Sequence, residues 1–459
     1  MKVDIIPRIL LPWIVVFFGV LLLWECRTNR ASLNTVRYYY VAPTGDDANP
    51  GSSQAPFRTI QRGLQAAQPG DTVWVEDGVY SEVISFPRDG EPNRPIVLKS
   101  IRKEGAVLDG TSVSVPNWNG LINVLNRKYV VVEGFLVRNS SQRGIWVKGE
   151  NEQSHDVSLR NCRTLNTVLS GIAVEYTSRV VLENCQASFA GEGYAGFYLY
   201  RNRDVSILEC LADHNGGAGG GLAQGFVFLE GENYLVKNCI SRSNARDGFD
   251  IGGDATGTQQ ITLEGCFSFD NGEDGFGVNS YAAQVRFIRC VGYRNASNGF
   301  NIYQGASRVE VINCTLVGGE HYFWIDGSDD PAHPVEDVRV RNCIGYGAEN
   351  RGIITIQAFQ NISFDYNCWT GEYSGYGEFC LWNMGPEEIA LSYSDVGSQG
   401  NWFRLLQQGE HSFSKDPRFV NPAGANFRLR ANSPCIDAGT DVGLPYHGKA
   451  PDMGAFEYP

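Results

Sequence analysis

The chain has 459 residues, 42% of them apolar, with 53 glycines and a formal net charge of −13. The apolar content is ample for a large core. The acidic balance, 38 lysines and arginines against 51 acids, excludes a general attraction to nucleic acid or anionic lipid, and no basic tract or zinc-finger spacing points to nucleic acid.

Residues 9–24 read ILLPWIVVFFGVLLLW, uncharged, with Lys2 and Arg8 before them and Arg27 and Arg30 after. The run is short for a span and has the n-region and h-region of a signal peptide. No small-x-small cleavage site or lipobox precedes Cys26. An uncleaved signal-anchor and a cleaved signal peptide both stay open, and a lipid anchor is disfavoured. Each places the rest of the chain outside the cytoplasm, secreted or held by a single N-terminal membrane anchor. Residues 1–30 are then the targeting segment and 31–37 a linker.

Residues 38–70 are predicted to form an N-terminal strand and cap. Tyr38 to Ala42 reads as a strand and Pro43 to Pro56 as a turn-rich loop. Phe57, Ile60, Leu64 and Ala67 fall at helical spacing, giving a short helix to cover the open end of a stack of strands.

From 71 to 370 the chain is short strands and turns. Nine cysteines recur at 23–29-residue intervals, from Cys162 to Cys368, six of them after an asparagine. Such a period is one turn of a solenoid. A second register is set by segments such as GFYLYR, GFVFLE, GFDIGG, GFGVNS and GFNIYQ. The residue after the glycine and the one two further on point inward, so those between point outward. The glycine is expected to supply backbone angles that other residues avoid. The asparagines before cysteine mark a corner where amides pair between turns. The fold class is therefore all-β, a right-handed parallel β-helix solenoid with a short N-terminal capping helix. The cysteines should form a buried ladder of reduced thiols, with Cys368 and Cys380 the candidates for a disulfide. Residues 371–459 are expected to be C-terminal turns and a cap.

The outward columns carry the candidate site. Trp146, Tyr198, Tyr200, Tyr303 and Trp324 form broken aromatic platforms, and Arg246, Asn279, Asn301 and Asp326 offer polar groups beside them. Rings with interspersed amides and carboxylates suit a carbohydrate chain. The densest polar cluster holds Asp247, Asp250, Asp254 and Asp274. Carboxylates on adjacent turns repel unless a proton or cation lies between them, and calcium accepts such hard oxygens with loose geometry. A functional calcium site, a structural one and solvated acidic turns without metal all remain open.

On these segments the chain resembles the family 9 polysaccharide lyases, within the pectate-lyase-like β-helix superfamily. The opening YYVAPTGDDANPGSSQAPFRTIQRGLQAA is similar to that of many such proteins, and DGFDI resembles the family's calcium-binding turn. The resemblance implies that Asp247 and Asp250 are calcium ligands. A preceding acid is replaced by Arg246, and another is expected one turn earlier, near Asp213 to Asn215. It also implies a catalytic lysine in a segment of the form NGFK, where this chain has Gly277 in DGFGV or Asn301 in NGFNI. Arg246, Arg289, Arg294 and Tyr303 stand near enough in sequence to substitute, and His321 starts a later turn. KDPRFVNP, NFRLRANSPCIDAGTDVG and DMGAFEYP resemble the closing segment of exported β-helix proteins and are expected to cap the final turn. The implied function is an exported protein active on an acidic polysaccharide, a polyuronate in the first instance, cleaving by calcium-dependent β-elimination. A non-catalytic glycan-binding or surface structural protein is the alternative, and a glycoside hydrolase a third reading.

Overall fold

The computed structural model describes residues 36–459 except 151–152, 192–194, 217–222, 255, 329–330, 372–377 and 385–386. The N-terminal apolar run lies outside the described residues. No described helix is long and apolar enough to cross a membrane.

Three sheets of 14, 13 and 12 strands run the length of the molecule, and consecutive turns pair in parallel. Each turn contributes one short strand to each sheet. A turn cannot bury its inward side chains alone, so stacking builds the core. Its clearest expression is a column of phenylalanines, Phe197, Phe226, Phe249, Phe276, Phe300 and Phe323, with centroids 4.5–5.3 Å apart and rings nearly parallel.

The helix spans Ile60–Ala66, capped by Thr59, whose side chain accepts from the Arg62 N–H, and buries Ile60, Gly63 and Leu64. The expected alternation holds, and the reason for the glycines changes. Gly225, Gly248, Gly275 and Gly299 do not have positive φ. A Cβ on Gly248 would stand 1.9 Å from Ser268 Oγ and 2.8 Å from the Gly275 carbonyl. Space between turns, not backbone angle, demands glycine. The left-handed corner lies at the asparagines before cysteine. Asn161, Asn184, Asn238, Asn313 and Asn342 all have φ between 50° and 55°, and Asn184 Nδ2 donates to Asn161 Oδ1 at 2.7 Å.

The described cysteines are buried and free, Cys368 and Cys380 included, so the expected disulfide between those two is not formed. Cys380 lies in the strand Glu378–Asn383, which extends the solenoid past residue 370 by pairing with Ile353–Ile356. The antiparallel strand Glu388–Ser392 covers its edge, and the helix Asn401–Leu406 buries Trp402. The closing segment does not cap the final turn. Phe419, Phe427, Cys435 and Met453 pack along the third sheet against Val291, Tyr293, Ile344 and Cys368. That outer face is apolar over several turns, and the closing segment removes it from water.

Candidate active site on one face of the solenoid

The 13-stranded sheet carries the polar outward columns. Two residues before each inward phenylalanine, or its equivalent, stand Gln224, Asp247, Asp274, Asn298, His321 and Arg351, one per turn. One residue after it stand Val227, Asp250, Gly277, Asn301 and Trp324, also in register.

A hydrogen-bonded chain runs down the leading column. Asp247 Oδ1 accepts from the Asp274 N–H at 2.9 Å. Asp274 Oδ1 accepts from Asn298 N and Nδ2 at 2.9 and 2.7 Å, and its Oδ2 from Asn301 Nδ2 at 2.7 Å. With its amide nitrogen committed, Asn298 presents Oδ1 to His321 Nδ1 at 2.9 Å. His321 Nδ1 is therefore the donor, and Nε2 carries a bare lone pair, buried and without a partner among the described residues. Burial, and then the Arg351 charge, hold this imidazole's pKa down to about 4, so the ring is neutral at neutral pH.

Asp250 faces the same space. Its Oδ1 accepts from Asn279 Nδ2 at 2.6 Å and its Oδ2 from Gln224 Nε2 at 3.4 Å. Gly277 leaves a gap here, since a Cβ on it would lie 3.5 Å from Asp250 Oδ1 and 3.7 Å from Asp247 Oδ2. Burial raises the proton affinity of Asp247 well above the ordinary carboxylate range, with Asp250 and Asp274 adding to it. Burial likewise pushes Asp250 up to about 6, against the Asn279 hydrogen bond and the Arg246 charge. Asp274 is raised by burial against its amide donors. Burial and the three carboxylates keep the Tyr303 phenol protonated, leaving it a neutral donor beside them.

Asp247 and Asp250 are hard oxygen donors on adjacent turns, the ligand type that a calcium ion accepts. The oxygens of Asp274 accept from Asn298 and Asn301 and those of Asp250 from Asn279 and Gln224, so an ion would displace amide donors at either. Among the described residues no three His, Cys, Asp or Glu side chains form a metal cage. Asp254 is also removed from the cluster: its exposed carboxylate accepts from Thr256 and lies 3.9 Å from Arg201. The acid expected one turn before Asp247 is absent from this face. Asp213 lies on the third sheet, bonded to Arg242 at 2.9 Å, and Gln224 occupies that place.

The aromatic residues flank the carboxylates. Tyr198 is two turns before Asp250 and Trp324 three turns after it, about 10 and 14 Å along the axis at the usual strand spacing. Tyr198 and Tyr200 lie 6.3 Å apart, tilted, and Trp324 meets the His321 ring edge-on at 5.3 Å. Trp146 is not an open platform. It is 6% exposed, with Arg143 4.8 Å and Lys148 5.1 Å from its ring centre. Trp118 is 54% exposed, with Arg143 5.5 Å from its ring centre. Arg246 is held at the cluster's edge by Glu273 at 2.9 Å. Asp326 accepts from Ser328 N and Oγ at 2.8 and 2.6 Å, which ties its turn rather than the groove. Gln224, Asn298 and His321 do not stand out as a set in the sequence. Their one signal there is the fixed position two residues before each inward aromatic.

On this face of the parallel β-helix a carboxylate cluster stands between aromatic side chains. Residues 39–275 match the family described as "Pel9A-like, right handed beta helix region", and the chain belongs to that family. It is 25% identical to pectate lyase L of Dickeya chrysanthemi over 94% of this chain and 93% of the relative. The crystal structure of pectate lyase Pel9A superposes with a TM-score of 0.55 at 20% identity, covering 93% of this chain and 98% of that one. The Azotobacter vinelandii mannuronan C-5 epimerase AlgE4 A-module shares the fold at TM-score 0.53 and 14% identity, over 78% and 92% of the two chains.

Proposed function

We propose that the protein is an exported, calcium-dependent lyase that cleaves a polyuronate by β-elimination on this face. The observation that carries the reading is the carboxylate pair Asp247 and Asp250, charged against its surroundings beside the space over Gly277 and flanked by Tyr198, Tyr200, Tyr303 and Trp324. Family membership and the pectate lyases among the relatives support it. Asp247 and Asp250 would hold the ion, which when bound draws in a uronate carboxylate and acidifies the neighbouring carbon. The chain's own groups do the rest: the tyrosines and Trp324 stack sugar faces, Tyr303 donates from its neutral hydroxyl, and Arg246 offers a cation at the groove's edge. Gly277 has no base to give. Among the described residues of the two columns, His321 Nε2 is the bare neutral nitrogen. A general base must reach the proton it takes, and His321 stands three turns from Asp247, about 14 Å along the axis, so it does not reach a uronate held at the carboxylate pair.

Gly277 also favours a second reading, a glycan-binding protein without catalysis. The test is ultraviolet absorbance of unsaturated products from pectate, alginate and glycosaminoglycans, with calcium or chelator. The expected result is a calcium-dependent rise lost in Asp247→Ala. Retained polymer binding with no rise on any of them establishes the binding protein. New saturated reducing ends establish a hydrolase.

A further inference from the structure

A second groove lies on another face, the outer side of the 14-stranded sheet. It crosses three turns, Ala283–Ile288, Ser307–Ile312 and Val335–Arg341. Arg286, Glu310 and Arg339 stand in register across them. These three, with Gln284, Arg308 and Asp337, line a cavity of about 300 Å³. A smaller hollow of about 200 Å³ shares Arg286, Glu310 and Arg339 with it and reaches Arg341 and Val442 of the closing segment.

The charges here are out of balance with the rest of the molecule. Arg286 pairs with Glu310 at 2.9 Å, and Asp337 accepts from Asn361. Arg341 is fixed by the Val340 and Ser363 carbonyls and Ser363 Oγ at 3.0–3.2 Å. Arg308 and Arg339 have no hydrogen bond or ion pair among the described residues. Four guanidiniums therefore face two carboxylates on a chain of net charge −13. Like charges on neighbouring turns repel; burial lowers the proton affinity of Arg341, and Arg339 adds to that against Asp365. Guanidinium forks match carboxylates in bidentate fashion. Arg286, Arg308 and Arg339 are spread along the solenoid axis at one-turn steps of about 4.8 Å, so the complement is a chain of repeated anions rather than one small ion.

We propose that this groove is a second, non-catalytic binding site for an acidic polysaccharide, holding carboxylates of the polymer on Arg308 and Arg339 while another stretch occupies the carboxylate face. The choice of ligand rests on the function proposed above. Binding does not, because the two sites share no residue.

Affinity electrophoresis of the full chain in gels containing polygalacturonate, a neutral polysaccharide or single-stranded DNA tests the inference. Asp247→Ala serves as a variant of the first site and R308E/R339E of the second, with thermal unfolding as the fold control. The expected result is salt-sensitive retention by polygalacturonate that persists in Asp247→Ala and weakens about tenfold in R308E/R339E, with turnover of short oligomers unchanged. R308A/R339A should show the same loss if the charge-reversed variant unfolds. Unchanged retention in the arginine variants overturns the proposal, as does equal retention by the neutral polymer or stronger retention by DNA. Persistent arginine-dependent binding without any polymer cleavage would sink the lyase reading and leave this site standing.

Discussion

Asp250 carries a penalty that can be read as a pH dependence. Its carboxyl titrates from 3.8 in the unfolded chain to about 6 in the fold. Between those values the folded state binds more protons, so stability is full below the unfolded value and falls as pH rises to about 6, then levels. Such a displacement is worth at most about 3 kcal/mol, and solvent reaching a half-buried group reduces it to about 1–2 kcal/mol. Asp250→Asn, which keeps an oxygen for Asn279, should raise the melting temperature in chelator by roughly 1–2 °C at pH 7.5 and by much less at pH 4. A melting curve unchanged at pH 7.5 would mean that the carboxylate is already compensated. At this scale Asp247, Asp250 and Tyr303 are legible in the sequence, because their types and spacing announce their chemistry. Trp146 is not, because an outward direction does not reveal that Arg143 and Lys148 lie over the ring. Nor is Asp254, whose turn closes on Thr256.

Behind the carboxylates runs a ladder that the cysteine spacing hides. Asn215, Asn244, Asn271 and Asn295 are buried, and the first three donate Nδ2 to the next Oδ1 at 2.8–2.9 Å. Each has both a donor and an acceptor, so the pattern repeats without leaving a buried group unpaired. Asn271→Leu strands the Asn244 backbone N–H, while Asn295 Oδ1 keeps the backbone N–H of residue 271 at 3.3 Å, and a buried orphan costs about 1–3 kcal/mol. The urea midpoint should fall by an amount equivalent to about 1–3 kcal/mol, and an unchanged midpoint would show that the ladder relaxes. The strands themselves are legible from alternation, since period-two burial leaves a direct trace. The ladder is not, because four asparagines outside the strands look like ordinary turn residues. The glycines are visible in the sequence but their reason is not: the composition of one turn does not state how closely the next approaches.

For the whole molecule, the repeat sets the architecture and the ends escape it. The closing segment reads from sequence as a lid on the last turn, yet it runs beside the third sheet. Asn313 Nδ2 donates to the Asp452 carbonyl at 2.8 Å, and the Ala455 N–H to Thr315 Oγ1 at 2.9 Å. Contacts between residues so far apart along the chain have no local signal. Removing residues 416–459 should uncover Val291, Tyr293 and Ile344 and produce aggregates in size-exclusion chromatography. A monodisperse truncated chain would mean that this strip tolerates water.

The thiol ladder turns the solenoid into its own gauge of opening. From Cys162 to Cys343 there is one buried free thiol per turn, whereas Cys368 lies one residue out of that register under the closing segment, and a repeat fold can loosen turn by turn rather than all at once. An alkylating reagent meets a given sulfur only when its own turn parts from its neighbours. Label mapped onto Cys162 to Cys343 counts the opened turns, and the modified position tells which end unzips first.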